Sequence, residues 1–100
     1  MKEVDILEEF KKDYNNIIAK EHNYKKLAYK YRGKKVKWRD SPYNSYFGRI
    51  IGYTEYCILC EVLDKSCGTP KEEVRGNILF PPKINTIRYC YPTWIYEFIV

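Results

Sequence analysis

Two β-strands joined by a tight turn are indicated by the stretch GRIIGYTEYCILCEV, residues 48–62. Residues of high strand propensity fill both halves, and the pair Thr54-Glu55 stands where the turn is needed. This pair lacks the Asn-Gly chemistry that favours a two-residue hairpin, so the pattern predicts the hairpin without fixing its register. Alternation along the second strand predicts one face made of Tyr56, Ile58, Cys60 and Val62, and another made of Cys57, Leu59, Glu61 and Leu63.

Cys57 and Cys60 stand at CxxC spacing in this stretch, so a metal clip, a redox pair and buried structural thiols are the alternatives. Side chains three apart on a strand point to opposite faces, whereas two zinc thiolates converge on one ion, usually through a turn. A redox CxxC normally opens a helix. The pattern therefore favours thiols that act as small buried hydrophobes, with no metal or cofactor. A four-thiolate site that adds Cys67 and Cys90 stays open, and it requires a break in the strand near Ile58.

Strand-like runs continue on both sides of the hairpin. KKVKWRD, residues 34–40, places Val36 and Trp38 on one face and Lys35, Lys37 and Arg39 on the other. INTIRYCY (residues 84–91) predicts a fourth strand and TWIYEFIV (residues 93–100) a short fifth one. Between them and the hairpin, residues 64–77 are polar and predict an exposed, mobile loop, and ILFPPK (residues 78–83) predicts an edge segment that two prolines end.

The first 32 residues follow a helical period. Apolar side chains recur in steps of three and four through Leu7, Phe10, Tyr14, Ile17, Tyr24, Ala28 and Tyr31, with Glu21 as the polar member of the series. Gly33 marks the end of the helical pattern. One helix from Glu3 to Arg32 would be about 45 Å long and would overhang a body about 25 Å across. It therefore breaks near His22-Asn23 and folds back on the sheet as two helices, or it protrudes and pairs with a second copy.

From residue 33 onward the pattern resembles the SH3-like barrels, including the Tudor and KOW types, through GKKVKW (residues 33–38) and FGRIIGY (residues 47–53). In those barrels a glycine-led first strand precedes a loop, a central hairpin and a late short strand. The resemblance implies an α+β chain, with an N-terminal helix or helix pair over residues 1–32 and a five-stranded antiparallel SH3-like barrel over residues 33–100, in one compact domain. The acidic and aromatic signature of peptide-binding SH3 domains is missing, so proline-rich ligands are not implied.

Composition limits the functional classes. The 100 residues carry 18 basic and 13 acidic side chains, a formal charge of +5 that suits either phosphate-bearing partners or solubility alone. The chain contains a single histidine, His22, and no phosphate-binding, zinc-protease or nucleophile-elbow motif, so it is predicted not to be an enzyme. No apolar run is long enough for a membrane span, and acidic residues stand where a signal peptide would be basic. A cytoplasmic location with reduced thiols is predicted.

The binding residues are predicted from the aromatic content. Eleven tyrosines exceed the needs of a small core. Aromatic faces beside cations stack bases and hold phosphates, and they also form hot spots between proteins; a half-buried sheet surface is the third alternative. The candidate binding residues are Lys35, Lys37, Arg39, Tyr43, Tyr46, Arg49, Arg88, Tyr89 and Tyr91.

The favoured function is non-enzymatic binding of another protein, with homo-oligomerisation through the N-terminal helix as a further prediction. An inhibitor or adaptor suits the size and composition, including a phage-encoded anti-defence protein that blocks a host factor. Eleven Ile and thirteen Lys against five Arg indicate an AT-rich coding sequence, which suits a bacteriophage as well as a cell. The alternative is a nucleic-acid or nucleotide-binding domain, in which the cations contact phosphate while Tyr43, Tyr46 or Tyr89 stacks on bases.

Overall fold

The computed structural model describes residues 5–64, 68–79 and 86–99. Within these ranges a helical segment precedes an antiparallel sheet, which confirms the predicted α+β class and the predicted order of the two parts. The helices pack on one face of the sheet, and the main apolar core lies between the two layers. Of the helices in the described ranges, none is long and apolar enough to cross a bilayer.

The helical segment bends at His22. Its elements are α1 (Ile6–Asp13), a π-helical turn (Tyr14–Ile18), α2 (Ala19–Glu21) and α3 (Tyr24–Tyr31). His22 has φ 52° and ψ 39°, the left-handed conformation that ends a helix. Asn23 then caps α3, because its side-chain oxygen accepts a hydrogen bond of 3.0 Å from the Lys26 N–H. The predicted break near His22-Asn23 is confirmed, and the alternative of one straight, protruding helix does not hold.

Asp13 joins the two helical arms across this bend. Its carboxylate accepts a hydrogen bond of 2.5 Å from the Tyr31 hydroxyl and lies 2.7 Å from the Lys30 ammonium, which also lies 3.1 Å from Glu9. Burial alone would raise the pKa of Asp13, but the hydrogen bonds from Lys30 and Tyr31 lower it on balance. Burial, together with the bond to Asp13, raises the pKa of Tyr31. The two arms are therefore held by a charge-assisted contact as well as by packing.

The apolar stripe of the helical segment faces the sheet of its own chain. Its buried members are Phe10, Ile17, Tyr24, Ala28 and Tyr31, and its half-buried members are Leu7 and Tyr14. The rings of Phe10 and Tyr31 meet the ring of Phe98 in the last strand, with centroids 5.1 and 5.6 Å apart. Since the stripe is occupied within the chain, homo-oligomerisation through it stays a prediction without support from the packing.

The described residues form seven strands rather than the predicted five. They are β1 (Lys35–Ser41), β2 (Asn44–Tyr53), β3 (Ile58–Val62), β4 (Thr69–Pro70), β5 (Asn77–Ile78), β6 (Thr86–Cys90) and β7 (Ile95–Ile99). The hydrogen-bonded order is β4-β6-β3-β2-β1-β7, with β5 paired to β2. β4 and β5 have two residues each, and they fall in or beside the segment predicted as a mobile loop. In the part of the chain that is described, no pairing joins β7 to β4 or β6, so the sheet is open.

Both faces of the sheet are covered at β3. Residues that lie opposite each other on paired strands share a face of the sheet. Four such residues form a row across β1, β2, β3 and β6, namely Lys35, Arg49, Glu61 and Ile87. Beside this row Ile51, Leu59 and Ile87 form a small second apolar cluster, against which Val74 packs. Because the helices cover the other face, all five residues of β3 are buried.

Candidate functional site

The predicted binding residues separate into five places on the molecule. Lys35, Lys37 and Arg39 point outward from β1, alternating with the buried Val36 and Trp38 as the sequence pattern predicts. Tyr43, in the turn between β1 and β2, is 94% exposed and is the most exposed tyrosine in the described ranges. Tyr89 and Tyr91 lie at the opposite end of β2, about 30 Å along the strand at 3.3 Å per residue. The predicted residues therefore do not form one surface.

Tyr46 and Arg88 belong to an enclosed stack instead of an open surface. Tyr46 is 5% exposed, and its ring stacks on Trp38 at 5.6 Å between centroids. The guanidinium carbon of Arg88 lies 4.4 Å from the centroid of the Tyr46 ring. Asp40 accepts hydrogen bonds from the Arg88 guanidinium at 3.1 Å and from the Tyr46 hydroxyl at 3.2 Å. The Tyr46 ring is thus covered and the Arg88 charge is balanced inside the protein.

Arg49 likewise forms an ion pair within the fold. Its Nε lies 2.6 Å from Oε1 of Glu61, which has no exposed side-chain surface, while the Arg49 side chain is 12% exposed. The two residues are direct neighbours across β2 and β3, so the backbone pairing itself brings the charges together. Arg49 balances a carboxylate that has been taken out of water, and this structural role accounts for its position.

An open hollow of about 730 Å³ contains the remaining two predicted residues. We name it the tyrosine hollow, and it is lined by Thr54, Glu55, Tyr56, Cys57, Arg75, Gly76, Asn77, Tyr89 and Tyr91. Three segments build it: the turn between β2 and β3, the chain that leads into β5, and the end of β6. Its three tyrosines are 65%, 40% and 47% exposed at positions 56, 89 and 91. Aromatic rings of this exposure, gathered around one concavity, form a surface suited to contact with a ligand.

The turn that begins at Thr54 directs the Tyr56 side chain outward. The Thr54 hydroxyl oxygen accepts hydrogen bonds from the N–H groups of Tyr56 and Cys57, both at 3.1 Å, which is the pattern of a hydroxyl-stabilised turn. The predicted two-residue turn at Thr54-Glu55 therefore extends to Cys57, and β3 starts at Ile58. For this reason Tyr56 and Cys57 do not take the strand positions predicted for them.

Tyr89 and Tyr91 are held by contacts at the opposite wall. The Tyr89 hydroxyl accepts a hydrogen bond of 3.0 Å from the backbone N–H of Arg75, which ties the chain before β5 to β6. The Tyr91 ring meets the edge of Trp94 at 4.9 Å between centroids. The His22 ring lies 6.2 Å from the Tyr56 ring, so the bend of the helical segment borders the hollow. The contacts of Tyr89 and Tyr91 hold these two side chains before any ligand arrives, which reduces the entropy lost on binding.

The thiol in the tyrosine hollow is not suited to nucleophilic chemistry. Cys57 is buried, and its sulfur lies 3.3 Å from the Thr54 hydroxyl. Burial raises the pKa of Cys57 and, farther inside, that of Cys90, which also lies beside Cys60. These three cysteines are buried free thiols, as predicted, and we call them the buried thiols. Cys67 lies outside the described residues, and among the residues that are described no three potential ligands converge as a metal site would require.

Among the side chains on the lining of the hollow, Tyr56, Arg75 and Asn77 were not predicted as binding residues. A signal for Tyr56 was present, because a threonine two residues earlier is able to form the hydroxyl-stabilised turn that removes it from the strand. For Arg75 and Asn77 the local signal was the pair Gly76-Asn77, which favours a turn but does not say which strand lies beside it. Comparison of the chain with protein-family models, curated proteins and solved structures finds no match.

Proposed function

We propose that this protein is a non-enzymatic module that binds another protein, and that the partner inserts side chains into the tyrosine hollow. The observation that carries the proposal is the gathering of three exposed tyrosines and Arg75 around one concavity of about 730 Å³. Tyrosine and arginine are enriched among the residues that dominate binding energy between proteins. Each tyrosine offers a large apolar face and a hydroxyl at a low entropic cost.

Charge supports a partner that presents an acidic or amide group to the hollow. Arg75 has no carboxylate partner within the described ranges, and Asn77 adds an amide beside it on the lining. A guanidinium on a lining that also carries aromatic rings is able to bind a carboxylate bidentately once water is displaced. The apolar ring faces then contribute most of the buried area, with Arg75 providing orientation.

The absence of suitable catalytic groups in the hollow supports a non-enzymatic function. Its thiol has a raised pKa, and the single histidine of the chain, His22, does not line it. A nucleophile requires an adjacent base or a lowered pKa. No described hydrogen bond joins the Cys57 sulfur to Glu55, the carboxylate on the lining, so the hollow is better suited to recognition than to turnover.

The five longer strands support an SH3-like barrel as the finer description of the fold. β1, β2, β3 and β6 follow one another as a meander, and β7 returns to pair with β1. A 3₁₀ turn, Pro92–Trp94, makes the return from β6 to β7. This order matches the predicted pattern of a first strand, a central hairpin and a late short strand. The likeness concerns the order of the strands, since the sheet formed by the described residues is open.

The nucleic-acid alternative loses part of the surface predicted for it. Of the five cations assigned to phosphate, Arg49 and Arg88 are engaged by Glu61 and Asp40, and of the three stacking tyrosines, Tyr46 is enclosed. A cytoplasmic location and a role as an inhibitor or adaptor, including a phage-encoded anti-defence role, stay predictions.

Site-specific photo-crosslinking in the native cells tests the proposal. Tyr56 is replaced with the photo-reactive residue p-benzoylphenylalanine, and the matched control carries the same replacement at Tyr43, which is exposed but remote from the hollow. We expect one discrete protein adduct from position 56 and none from position 43. Tyr91→Ala or Arg75→Ala in the position-56 protein should weaken the adduct, because truncating a central contact costs about 2 kcal/mol, or about 30-fold in affinity. Equal adducts from both positions, or none from position 56, would overturn the proposal.

A further inference from the structure

A second surface is formed by five cations, of which one has a carboxylate partner among the described residues. Residues 32–39 contain five basic side chains and no acidic one, and we call these five the basic strip: Arg32, Lys34, Lys35, Lys37 and Arg39. Three of them alternate along the outward face of β1, about 6.6 Å apart. All but Lys37 are exposed, and Lys37 is half-buried. The three cations on β1 therefore form a row of charge on one face of the strand.

The charge of the basic strip is opposed by one described carboxylate. The Lys37 ammonium lies 4.0 Å from Glu97, the outer limit of an ion pair, and both side chains are about half exposed. The other four cations have no ion pair among the described residues. Arg49 differs from them, because its charge is balanced by the buried Glu61 at 2.6 Å. The two arginines of the strip thus keep their charge available to an external anion.

An aromatic ring is already positioned against one end of the strip. The guanidinium carbon of Arg39 lies 4.8 Å from the centroid of the Tyr96 ring. The Tyr96 and Ser45 hydroxyls share a hydrogen bond of 2.8 Å, and Ser45 lies opposite Arg39 across β1 and β2. Tyr96 is 37% exposed. At the other end, Tyr29 is 44% exposed with the Arg32 guanidinium carbon 5.6 Å from its ring.

We propose that the basic strip binds single-stranded nucleic acid, with its cations on the phosphates and with Tyr96 stacking on a base. A cationic track interleaved with exposed aromatic rings is the arrangement that holds single strands without reading their sequence. A duplex keeps its bases stacked inside, so Tyr96 could not stack on one of them and the affinity of the protein for the duplex would be lower. This binding does not depend on the tyrosine hollow, whose lining shares no residue with the strip.

Fluorescence anisotropy of a labelled oligothymidylate of about 12 nucleotides, a length within the range of a small β-domain, measures the binding. The test variant is Lys35→Gln/Lys37→Gln/Arg39→Gln. The matched control is Lys11→Gln/Lys12→Gln/Lys20→Gln, which removes the same charge from exposed positions of the helical segment. Each phosphate contact contributes about 0.7 to the salt slope of a single strand, so the test variant should lose about 2 from the slope measured between about 50 and 200 mM NaCl. The control should keep the slope of the unmodified chain.

A second variant separates stacking from charge. Tyr96→Leu keeps every cation and the apolar bulk, and it should weaken oligothymidylate about tenfold while leaving the salt slope unchanged. Far-ultraviolet circular dichroism and thermal unfolding establish that each variant is folded. The proposal is overturned if the unmodified chain does not bind at low salt or if the two triple variants lose equal affinity. Equal binding of polyglutamate, or of the annealed duplex, would also overturn it, because either result would mean that charge alone is recognised.

Discussion

Removing one partner of the buried pair Arg49 and Glu61 should lower the free energy of unfolding strongly, whereas replacing both with apolar residues should change it little. The perturbation is a double-mutant cycle of Arg49→Met, Glu61→Met and the two together. Methionine keeps the apolar stem of either side chain and removes its charged end. The structural basis is the 2.6 Å contact between a carboxylate with no exposed surface and a guanidinium that is 12% exposed.

The expected magnitude follows from what each change leaves behind. Arg49→Met leaves an ionised carboxylate with no access to water, so we expect a loss at the upper end of the 3–5 kcal/mol range for broken buried pairs, about 5 kcal/mol. Glu61→Met leaves a guanidinium that is still partly exposed, so its loss should be about 3 kcal/mol. The double variant replaces both charges with apolar groups beside Ile87, which lies opposite Glu61, and it should lie within about 1 kcal/mol of the unmodified chain. The two single changes are therefore strongly non-additive.

Urea unfolding followed by circular dichroism measures the cycle, and the m-value shows whether the transition stays two-state. A loss of about 4 kcal/mol lowers the melting temperature by about 20 °C in a domain of this size. The matched control is the exposed pair Lys37 and Glu97, 4.0 Å apart on the same face. The same double-mutant cycle with Lys37→Met and Glu97→Met should give a coupling energy below about 1 kcal/mol between the two positions. If the double variant at positions 49 and 61 loses the sum of its singles, the pair does not act as a unit and the reasoning fails.

Three further predictions concern the core and the helical layer. Tyr31→Phe should lower the free energy of unfolding by about 1 kcal/mol at pH 7, because the hydrogen bond to Asp13 is lost. The raised pKa of Tyr31 contributes stability that is present below pH 10 and is lost above it, as the unfolded tyrosine ionises, so the variant should lose less stability at alkaline pH than the unmodified chain. An unchanged dependence of the unfolding free energy on pH, measured by urea melts, would contradict this. Gly48→Ala should lower the free energy of unfolding by at least about 3 kcal/mol, because a Cβ at position 48 would lie 2.0 Å from the Glu61 carbonyl oxygen. An unchanged midpoint of urea unfolding would show that the two strands do not approach so closely. With Cys67→Ser in place, the buried thiols should react with Ellman's reagent at pH 8 only as urea unfolds the chain, whereas rapid labelling of the native protein would refute their burial.

Local patterns were sufficient to predict the elements of the fold. The helical period and the alternation of Val36 and Trp38 with the outward cations depend on residues that are close in sequence, and the structure confirms both. The break at His22-Asn23 was one of two alternatives that the sequence left open, and the structure has the break. The short strands β4 and β5 were not predicted, because two residues have no detectable period. They are defined by pairing with β6 and β2, which is a tertiary property.

The functional surfaces were harder to predict because exposure depends on partners from distant parts of the chain. Tyr46 and Tyr91 have the same residue type and both lie beside strand residues, yet one is enclosed by Trp38 and Arg88 while the other is 47% exposed. No local pattern distinguishes them. The tyrosine hollow is assembled from three segments separated by roughly 20 and 15 residues, so its members become neighbours only through the order of the strands.

Pairing across the sheet also decides which charges the molecule can offer to a partner. Lys35 and Arg49 lie opposite each other on β1 and β2, and Glu61 lies opposite Arg49 on β3. Because Glu61 lies on the Arg49 side, it balances Arg49 and leaves Lys35 exposed at the edge of the same row. A shift of one residue in the β2–β3 register would move Glu61 to the other face, where it could no longer balance Arg49. The net charge of +5 therefore does not by itself indicate a binding surface, because the sheet register decides which cations of β1 and β2 are balanced by a carboxylate and which are exposed.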